Sequence, residues 1–434
     1  MKSTKYLVSL LGVVAMAVTG CGGTGTSSSS PSTSSSPSSS SSAVDHSNVK
    51  LTLTIAGPEA QADFNKARVQ EYLTDNGYTN VKFTYMNMGE DVADTAVTDW
   101  STGPDIYAFA SDKILNLAKK GALSTVPTTY VTNMTNDMNS SAITAGTLGE
   151  KVVAYPYAGD NGYFLYYNTD LVPTDQTDSV EHIIAACEAN SVKFAYPLNT
   201  AFYSMAELMT WGSRFGVTMS DDGTAIDSIT ADFNTDKGLK AAKAMKQMID
   251  SDTVSHAAGC QAAPTAANKV GAVVDGSWNA GAYKKAVGDK LGACKLPTIT
   301  VGGETKNLTS FLGYKLYGVN SVITQKDTTR AALDHAICNY LVSEKVQSAR
   351  FDTFATAPTN KAVAALDKVK NDICVKAIAD QSTYAVPQTV VPGNAWTAPV
   401  AVYTGLVDGT ISTDEQITAA LATLNQSIIN SDKN

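Results

Sequence analysis

Five aromatic residues follow predicted strands or lie among glycines and prolines, where a ring can face a ligand: Phe109, Phe202, Tyr203, Trp278 and Trp396. A lone aromatic residue is usually part of the core. Rings collected at the mouth of a cleft would instead suit a carbohydrate, because the apolar C–H faces of a pyranose stack on flat rings. Its hydroxyl groups need carboxylates, amides and cations. The sequence leaves both interpretations open.

Polar residues of the required types follow predicted strands in the first third of the chain. The first three predicted strands are Val49–Ile55, Val81–Tyr85 and Asp105–Phe109. Glu59 comes after the first, and Asp112 and Lys113 come after the third. Alternation of strands and helices indicates βαβ units and a parallel sheet, in which ligands bind at the carboxyl ends of the strands. We therefore expect Glu59, Phe109, Asp112 and Lys113 to line one edge of the sheet. Solvent-exposed loop polarity explains any one of them equally well.

Signatures of catalysis and of metal binding are absent from the sequence. The four histidines are far apart, and the chain contains no HExxH, GxSxG, Walker or GxGxxG motif. A carboxylate pair for glycoside hydrolysis has many candidates among the 41 acidic residues, and nothing singles one out. We expect no cofactor, no metal site and no catalytic residue.

Length and charge limit the fold and the partners. A chain of 434 residues favours two lobes over one compact domain. The formal net charge of −9 argues against nucleic acid and anionic membrane surfaces as partners.

The amino-terminal segment has the pattern of a leader and a tether. Residues 1–20 combine a positive start with a short apolar run, as in a signal peptide, and small residues precede Cys21. This arrangement resembles the lipobox of bacterial lipoproteins, which implies cleavage before Cys21 and acylation of its thiol and amine. An ordinary secretory peptide is the alternative. Residues 21–48 are rich in serine and are predicted to form a disordered tether to the membrane.

Five cysteines remain after Cys21, an odd number, so at least one is free or pairs outside the chain. None lies in a CxxC pair, which argues against zinc and redox sites. Cys260–Cys294 and Cys338–Cys374 are candidate disulfides.

The stretch from Gly149 to Leu171 has two interpretations. Two apolar, aromatic runs flank the polar segment Gly159-Asp160-Asn161-Gly162. Asn-Gly between apolar runs favours a hairpin. The alternative is one strand that leaves a first lobe, presents Asp160 at a crevice and enters a second lobe.

Downstream patterns predict further helices and strands. Helices are predicted over Ser179–Asn190, Tyr203–Phe215, Lys237–Asp250, Thr328–Ser343, Ala362–Asp380 and about Thr413–Ile429. Strands are predicted over Lys193–Tyr196, Val270–Val274, Leu291–Leu296 and Phe311–Val319.

Taken in order, these segments resemble the extracellular solute-binding proteins of ABC importers, specifically the maltose and maltodextrin-binding group. The resemblance covers about residues 49–430. The matching segments are Gly103-Pro104-Asp105-Ile106 with Phe109 and Asp112-Lys113, Tyr155-Pro156 with Asp160, Tyr167-Asn168-Thr169-Asp170, Gly271–Trp278, Leu296-Pro297-Thr298, Phe311-Leu312-Gly313 and Asn394-Ala395-Trp396.

The resemblance implies a two-lobed α/β fold with three hinge crossovers and a ligand cleft between the lobes. Residues 49–158 and 317–368 would form the first lobe, and residues 159–316 and 369–434 the second. The central stretch would then be a crossover.

The resemblance also implies roles for single residues. Asp112 and Lys113 would bind sugar hydroxyls beside Phe109. Asp160, at the hinge, would accept a hydrogen bond from a sugar hydroxyl. Phe202 and Tyr203 match an aromatic pair, and Trp278 and Trp396 match stacking tryptophans.

The chain departs from the family pattern in three places. Asn199-Thr200-Ala201 stands where an acid can precede the aromatic pair, Glu59 is displaced in the first loop, and Phe109 is smaller than a tryptophan. These departures leave the exact sugar, its length and its anomer open.

The function implied is that of a lipid-anchored receptor on the extracellular face of a bacterial membrane. It would be a monomer that captures a linear oligosaccharide, with maltodextrin as the first expectation, and delivers it to the membrane subunits of an ABC permease. The alternatives are the same fold with another solute, a tethered glycoside hydrolase, and a structural lipoprotein without a ligand.

Overall fold

The computed structural model describes residues 45–431, so the predicted leader, Cys21 and most of the predicted tether lie outside the described residues. The strands are β1 (Thr52–Gly57), β2 (Lys82–Asn87), β3 (Ile106–Ala110), β4 (Thr147–Leu148), β5 (Lys151–Val152), β6 (Tyr155–Asn168), β7 (Lys193–Ala195), β8 (Phe215–Met219), β9 (Ile226–Ala231), β10 (Val254–Ser255), β11 (Val270–Gly276), β12 (Leu291–Cys294), β13 (Thr298–Val301), β14 (Glu304–Asn307), β15 (Ser310–Val319) and β16 (Ala385–Pro387).

The helices cover both faces of the sheet. They are α1 (Ala62–Asp75), α2 (Ala93–Ala96), α3 (Ile114–Lys119), α4 (Thr128–Asp137), α5 (Ser140–Ala145), α6 (Val180–Ala189), α7 (Ala201–Glu207), α8 (Asp236–Ile249), α9 (Ala280–Val287), α10 (Ser321–Thr324), α11 (Thr328–Leu341), α12 (Glu344–Phe354), α13 (Lys361–Ala364), α14 (Asp367–Lys370), α15 (Ile373–Ser382), α16 (Pro399–Asp408) and α17 (Asp414–Ile429). Short 3-10 turns at Ser111–Lys113, Ser277–Asn279 and Gly393–Trp396 matter for the site.

One large sheet runs through the described residues in the order β10-β7-β11-β6-β15-β3-β1-β2, with β12 added to β6 and β16 added to β15. β1 pairs in parallel with both β2 and β3, which confirms the predicted βαβ beginning of the fold. β15 runs antiparallel to β3 and to β6. The carboxyl end of β3 therefore lies beside the two strands that cross the middle of the molecule.

The stretch from Gly149 to Leu171 is a crossover, because Tyr155–Asn168 forms one continuous strand. The hairpin interpretation is wrong, and Gly162 explains why the Asn-Gly pair misled. A Cβ added at Gly162 would lie 2.9 Å from the Phe311 carbonyl oxygen and 2.9 Å from Leu312 Cδ1. This glycine allows β15 to approach β6 closely, and it does not form a turn.

The apolar residues gather mainly in two cores that share the crossing strands. One core packs β1, β3 and the first part of β6 against α1 and α11, and contains Tyr155 and Tyr157. Another packs β7, β11 and the second part of β6 against α6, α8 and α17, and contains Tyr163 and Leu165. Burial of each such side chain stabilises the fold by roughly 1.5–3 kcal/mol. β6 therefore belongs to both cores.

Most predicted elements are present, but two predicted helices are wrong in extent. The helix expected over Tyr203–Phe215 ends at Glu207, because Gly212 adopts a φ of 93° and Phe215 already begins β8. The helix expected over Ala362–Asp380 is broken into α13, α14 and α15. The Asp372 side chain accepts from the backbone N–H of Cys374 and starts the last of these anew.

The five cysteines within residues 45–431 are all free thiols, so neither candidate disulfide forms. Among the same residues, helices that combine the length and the apolar character needed to cross a bilayer are not found.

Candidate ligand-binding site

A cavity of about 540 Å³ opens where the carboxyl end of β3 meets the amino end of α7 and the turns before α9 and α16. This volume lies within the range of about 300–1,000 Å³ that is typical of small-molecule sites. Its lining residues are Glu90, Asp91, Ala110, Asp112, Lys113, Asn161, Thr200, Ala201, Phe202, Tyr203, Gln261, Trp278, Lys315, Gln388 and Trp396. Six of the nine ligand-binding residues predicted from the sequence are among them.

The polar wall of the cavity is formed by Asp112, Lys113, Asn161 and Gln388. The Asp112 carboxylate accepts from Gln388 Nε2 at 2.8 Å and lies 3.2 Å from Lys113 Nζ. Asn161 Nδ2 donates to Gln388 Oε1 at 3.0 Å, so the amide of Gln388 is held at both ends. The side chain of Asp112 is therefore oriented before any ligand arrives.

Burial raises the pKa of the Asp112 carboxyl, and the neighbouring Lys113 ammonium opposes this shift. The ammonium favours the charged form of the carboxylate, which is a strong acceptor of hydroxyl hydrogen bonds. Lys113 in turn can donate to hydroxyl oxygens, so this pair offers an acceptor and a donor side by side.

The aromatic wall of the cavity is organised around Phe202. Its ring centre lies 6.2 Å from that of Trp278, 6.1 Å from that of Trp396 and 5.4 Å from that of Tyr203. Phe202 and Tyr203 are placed by the first turn of α7, and Trp396 by the 3-10 turn before α16. Three separate segments thus bring their rings to one surface.

Trp278 is 46% exposed, an unusual value for the largest apolar side chain. It lies in the 3-10 turn after β11, and its ring folds back over Gly276, where an added Cβ would lie 2.1 Å from the indole. Lys315 Nζ lies 5.6 Å from the Trp278 ring centre, which is a cation–π distance. The sequence pattern Gly-Ser-Trp therefore positions an open ring at a strand end.

Asp160 lies behind the cavity wall and is absent from its lining. Its Oδ2 accepts from the Ala357 backbone N–H at 2.9 Å, and its backbone oxygen accepts from the Ser277 hydroxyl. Its Oδ1 lies 3.9 Å from Lys315 Nζ and has no hydrogen-bond partner within the described chain. Asp160 therefore supports the cavity through Lys315, which does line it.

Phe109 and Glu59 are also absent from the cavity lining. Phe109 is completely buried beside Tyr107, because β3 is covered on both faces and its last apolar ring turns into the core. Glu59 is exposed in a 3-10 turn after β1. The acids on this side come instead from the loop after β2, where Glu90 and Asp91 line the cavity and Glu90 accepts from the buried Tyr157 hydroxyl.

Several lining residues were missed by the sequence reasoning. Lys315 was detectable, because a lysine within the apolar strand β15 requires a polar partner or a site. Glu90 and Asp91 follow a predicted parallel strand, so they carried the same signal as Asp112. Gln261 and Gln388 gave no signal.

Gln261 belongs to a polar group at the base of the aromatic wall. Its Nε2 donates to the Tyr203 hydroxyl at 2.9 Å and to Asp275 Oδ1 at 2.7 Å. Burial raises the pKa of the Asp275 carboxyl, although hydrogen bonds from Tyr283 and Asn279 oppose the shift. Across residues 45–431, clusters of three or more His, Cys, Asp or Glu side chains suited to a metal ion are not present.

Comparisons with known proteins agree with this architecture. A curated relative, the maltooligosaccharide ABC transporter solute-binding lipoprotein of Streptococcus pneumoniae (strain ATCC BAA-255 / R6), is 25% identical over 291 residues. The match includes 64% of this chain and 65% of that relative, so the chain spans just under two thirds of its length.

Two solved structures have the same fold. One, solved with acarbose, has a TM-score of 0.75 at 23% identity, over 88% of this chain and 99% of its own. The maltodextrin-binding protein MalE1 from L. casei BL23, solved without ligand, has a TM-score of 0.71 at 21% identity, over 88% and 100%. The predicted two-lobed α/β fold is confirmed.

Residues 67–377 match the family model described as bacterial extracellular solute-binding protein. The match includes well over half of the chain and every residue that lines the cavity except Gln388 and Trp396. This chain therefore belongs to the bacterial extracellular solute-binding proteins.

Proposed function

We propose that this chain is the sugar-binding receptor of an ABC importer and that it captures a linear maltooligosaccharide. The observation that carries the proposal is the pairing of an aromatic wall with a polar wall across one cavity of about 540 Å³. Rings such as Trp278 suit the apolar faces of sugar units. The pair Asp112 and Lys113 suits their hydroxyl rims.

The relatives support the choice of sugar. The curated relative is named for maltooligosaccharides, and one of the similar solved structures is a maltodextrin-binding protein. The chain itself supplies the matching chemistry, since carboxylates, amides and ammonium groups surround the rings.

Capture is proposed to occur by closure of two lobes, residues 49–158 with 317–368 and residues 159–316 with 369–434. In this division Asp112 and Lys113 belong to the first lobe, and Phe202, Trp278 and Trp396 to the second. A ligand shifts the equilibrium towards the closed form only by its differential affinity for that form. Contacts divided between two lobes provide this difference, because an open molecule makes only part of them.

The setting proposed is the extracellular face of a bacterial membrane. Acylated Cys21 would hold the monomeric receptor there, and the closed, loaded form would be recognised by the permease subunits. The protein would perform no reaction on the sugar.

A thermal-shift screen tests the function. Maltose and longer maltodextrins would be compared with xylo-, galacto- and fructo-oligosaccharides. A ligand at 100 times Kd should stabilise the fold by about 2.7 kcal/mol. We expect maltodextrins alone to raise the melting temperature and to be recovered intact after incubation. Hydrolysis of maltotriose would indicate that the protein is an enzyme. A melting-temperature shift with another sugar alone would show that this sugar, and not a maltodextrin, is the ligand.

A further inference from the structure

Helix α12 carries a buried charge, Arg350, which is 1% exposed. Its guanidinium donates to Gln61 Oε1, to Asn65 Oδ1 at 3.0 Å and to the Tyr317 hydroxyl at 2.8 Å. These partners are neutral, and the arginine ion pairs found in residues 45–431 belong to other arginines. A guanidinium that has left water without gaining an opposite charge beside it is costly. This cost favours a role for the charge beyond packing.

The guanidinium of Arg350 lies over aromatic rings of the crossing strands. Its central carbon, Cζ, is 4.6 Å from the ring centre of Tyr157 in β6 and 5.8 Å from that of Tyr317 in β15. These are cation–π distances. The two tyrosine rings stack on each other with their centres 4.4 Å apart. Arg350 therefore fixes the place of the Tyr157 ring directly and through Tyr317.

The hydroxyl of Tyr157 connects this buried charge to the cavity wall. It donates to Oε1 of Glu90, which is half-buried and lines the cavity. Burial raises the pKa of the Tyr157 phenol, the Glu90 carboxylate adds to this rise, and the Arg350 guanidinium opposes it. The cation thus strengthens Tyr157 as a hydrogen-bond donor to Glu90, because neighbouring polar groups polarise one another. Within residues 45–431 no hydrogen bond uses Glu90 Oε2, so this oxygen is left for a ligand.

We propose that Arg350 is a positioning residue of the ligand site and that it acts through Tyr157 on Glu90. The guanidinium holds the Tyr157 ring, and the Tyr157 hydroxyl holds the Glu90 carboxylate in the orientation that accepts a sugar hydroxyl. Arg350 itself does not line the cavity, so it affects the ligand only through these side chains. This inference rests on the proposed function, because it takes the occupant of the cavity to be a maltooligosaccharide.

A double-mutant cycle measured by calorimetry with maltotriose tests the positioning role. Tyr157→Phe removes only the hydroxyl and should weaken binding roughly fivefold, as expected for the loss of one hydrogen bond. In a Glu90→Ala background the same substitution should have no further effect, because the carboxylate that it positions is gone.

Two substitutions of Arg350 test the role of its charge. Arg350→Met removes the charge with little change of volume and should weaken binding at least as much as Tyr157→Phe, again only while Glu90 is present. Arg350→Lys keeps a cation that can lie over the Tyr157 ring, so its affinity should be closer to that of the wild type. If the methionine variant does not fold, the cycle with Tyr157→Phe decides.

A matched control removes the hydroxyl of another buried tyrosine in β6. The Tyr155 hydroxyl is hydrogen-bonded to His335 Nδ1 at 2.8 Å, so Tyr155→Phe should lose stability and keep the wild-type affinity for maltotriose. Wild-type affinity in Tyr157→Phe, or an equal loss with and without the Glu90 carboxylate, overturns the positioning role alone. Equal losses of affinity in Arg350→Met and Arg350→Lys overturn the role of the charge. A wild-type protein that binds no maltooligosaccharide overturns the proposed function and this inference with it.

Discussion

The two walls of the cavity are held in place by different forces. On the polar wall, Asp112, Asn161 and Gln388 form a chain of directed hydrogen bonds of 2.8 and 3.0 Å. On the aromatic wall, Phe202 and Trp278 meet only through ring contacts at 6.2 Å. Directed bonds fix orientation, whereas ring contacts tolerate small shifts. The polar wall is therefore suited to reading hydroxyl positions, and the aromatic wall to supplying contact area.

The buried acids behind these walls also differ, because only one of them has a neighbouring cation. Behind the polar wall, Asp160 is compensated by Lys315 and by a backbone N–H. Behind the aromatic wall, Glu207 accepts from the Tyr196 hydroxyl at 3.2 Å, and its Oε1 is unpartnered among the described residues. Burial raises the pKa of both carboxyls, that of Glu207 to about 8, and a neighbouring ammonium, that of Lys315, opposes the shift only at Asp160. One carboxyl is held beside a cation, and the other is kept neutral.

Removal of Asp160 should have the largest effect. Asp160→Ala leaves the Lys315 ammonium buried without a carboxylate, and breaking a buried pair of this kind costs about 3–5 kcal/mol. Chemical denaturation of the ligand-free protein should show this loss of stability. The matched surface variant Asp170→Ala, which breaks an exposed ion pair with Lys290, should lose less than about 1 kcal/mol. Equal losses of unfolding free energy in the two variants would show that Asp160 does not stabilise the buried Lys315 ammonium.

Glu207 should make the stability depend on pH. Its pKa is about 8 in the folded chain and 4.5 in its ordinary state, so folding retains a proton that the unfolded chain releases. The stabilisation is complete below about pH 4.5 and is lost as the pH rises towards 8, at about 1.4 kcal/mol per pH unit. The phenols of Tyr163 and Tyr196 face Glu207.

Glu207→Gln should flatten the dependence of the melting temperature on pH between 5 and 8 and should stabilise the protein at pH 8. Glu150→Gln, at an exposed position, serves as the control and should keep the wild-type slope. A variant with the wild-type slope would assign the effect to another group.

Asp112 should contribute more to binding than to folding. Asp112→Ala removes the carboxylate that we propose accepts from sugar hydroxyls. A hydrogen bond to a charged group is worth about 1.5–3 kcal/mol, so the affinity for maltotriose should fall tenfold or more. Calorimetry on the folded variant measures this loss. Gln388→Leu should reproduce part of it, because Asp112 then loses its orienting amide. Unchanged affinity in both variants would remove the polar wall from the ligand site.

Substitutions of the two tryptophans should affect ligand affinity and protein stability differently. Trp278 is 46% exposed, so Trp278→Ala should keep the melting temperature of the free protein and lose about 1–2 kcal/mol of binding. Trp396 packs on Phe311 at 5.0 Å, so Trp396→Ala should also lose stability. Melting temperatures that fall equally would show that both rings serve the core.

The predicted site residues that line the cavity are those whose own neighbourhood in the sequence determines their place. Asp112 and Lys113 follow a strand, and Trp278 follows a strand through a glycine, so local pattern was sufficient. Phe109 was misplaced because its burial depends on β15, which joins β3 from far along the chain. Gln388 was missed for the same reason, since its partner Asp112 lies 276 positions away. Local pattern also could not tell that Gly162 serves close strand packing.

The sharing of β6 between two cores has a consequence for how the protein folds. Tyr155 contributes to one core and Tyr163 to the other, and β15 likewise contributes Tyr317 to the first and Phe311 to the second. Neither core is complete until residues 310–319 have joined β6. Pairing between such distant segments slows folding, because the long loop must close before the contacts form. The two cores should therefore unfold in one cooperative step. In a chain truncated before β15, neither core should be stable.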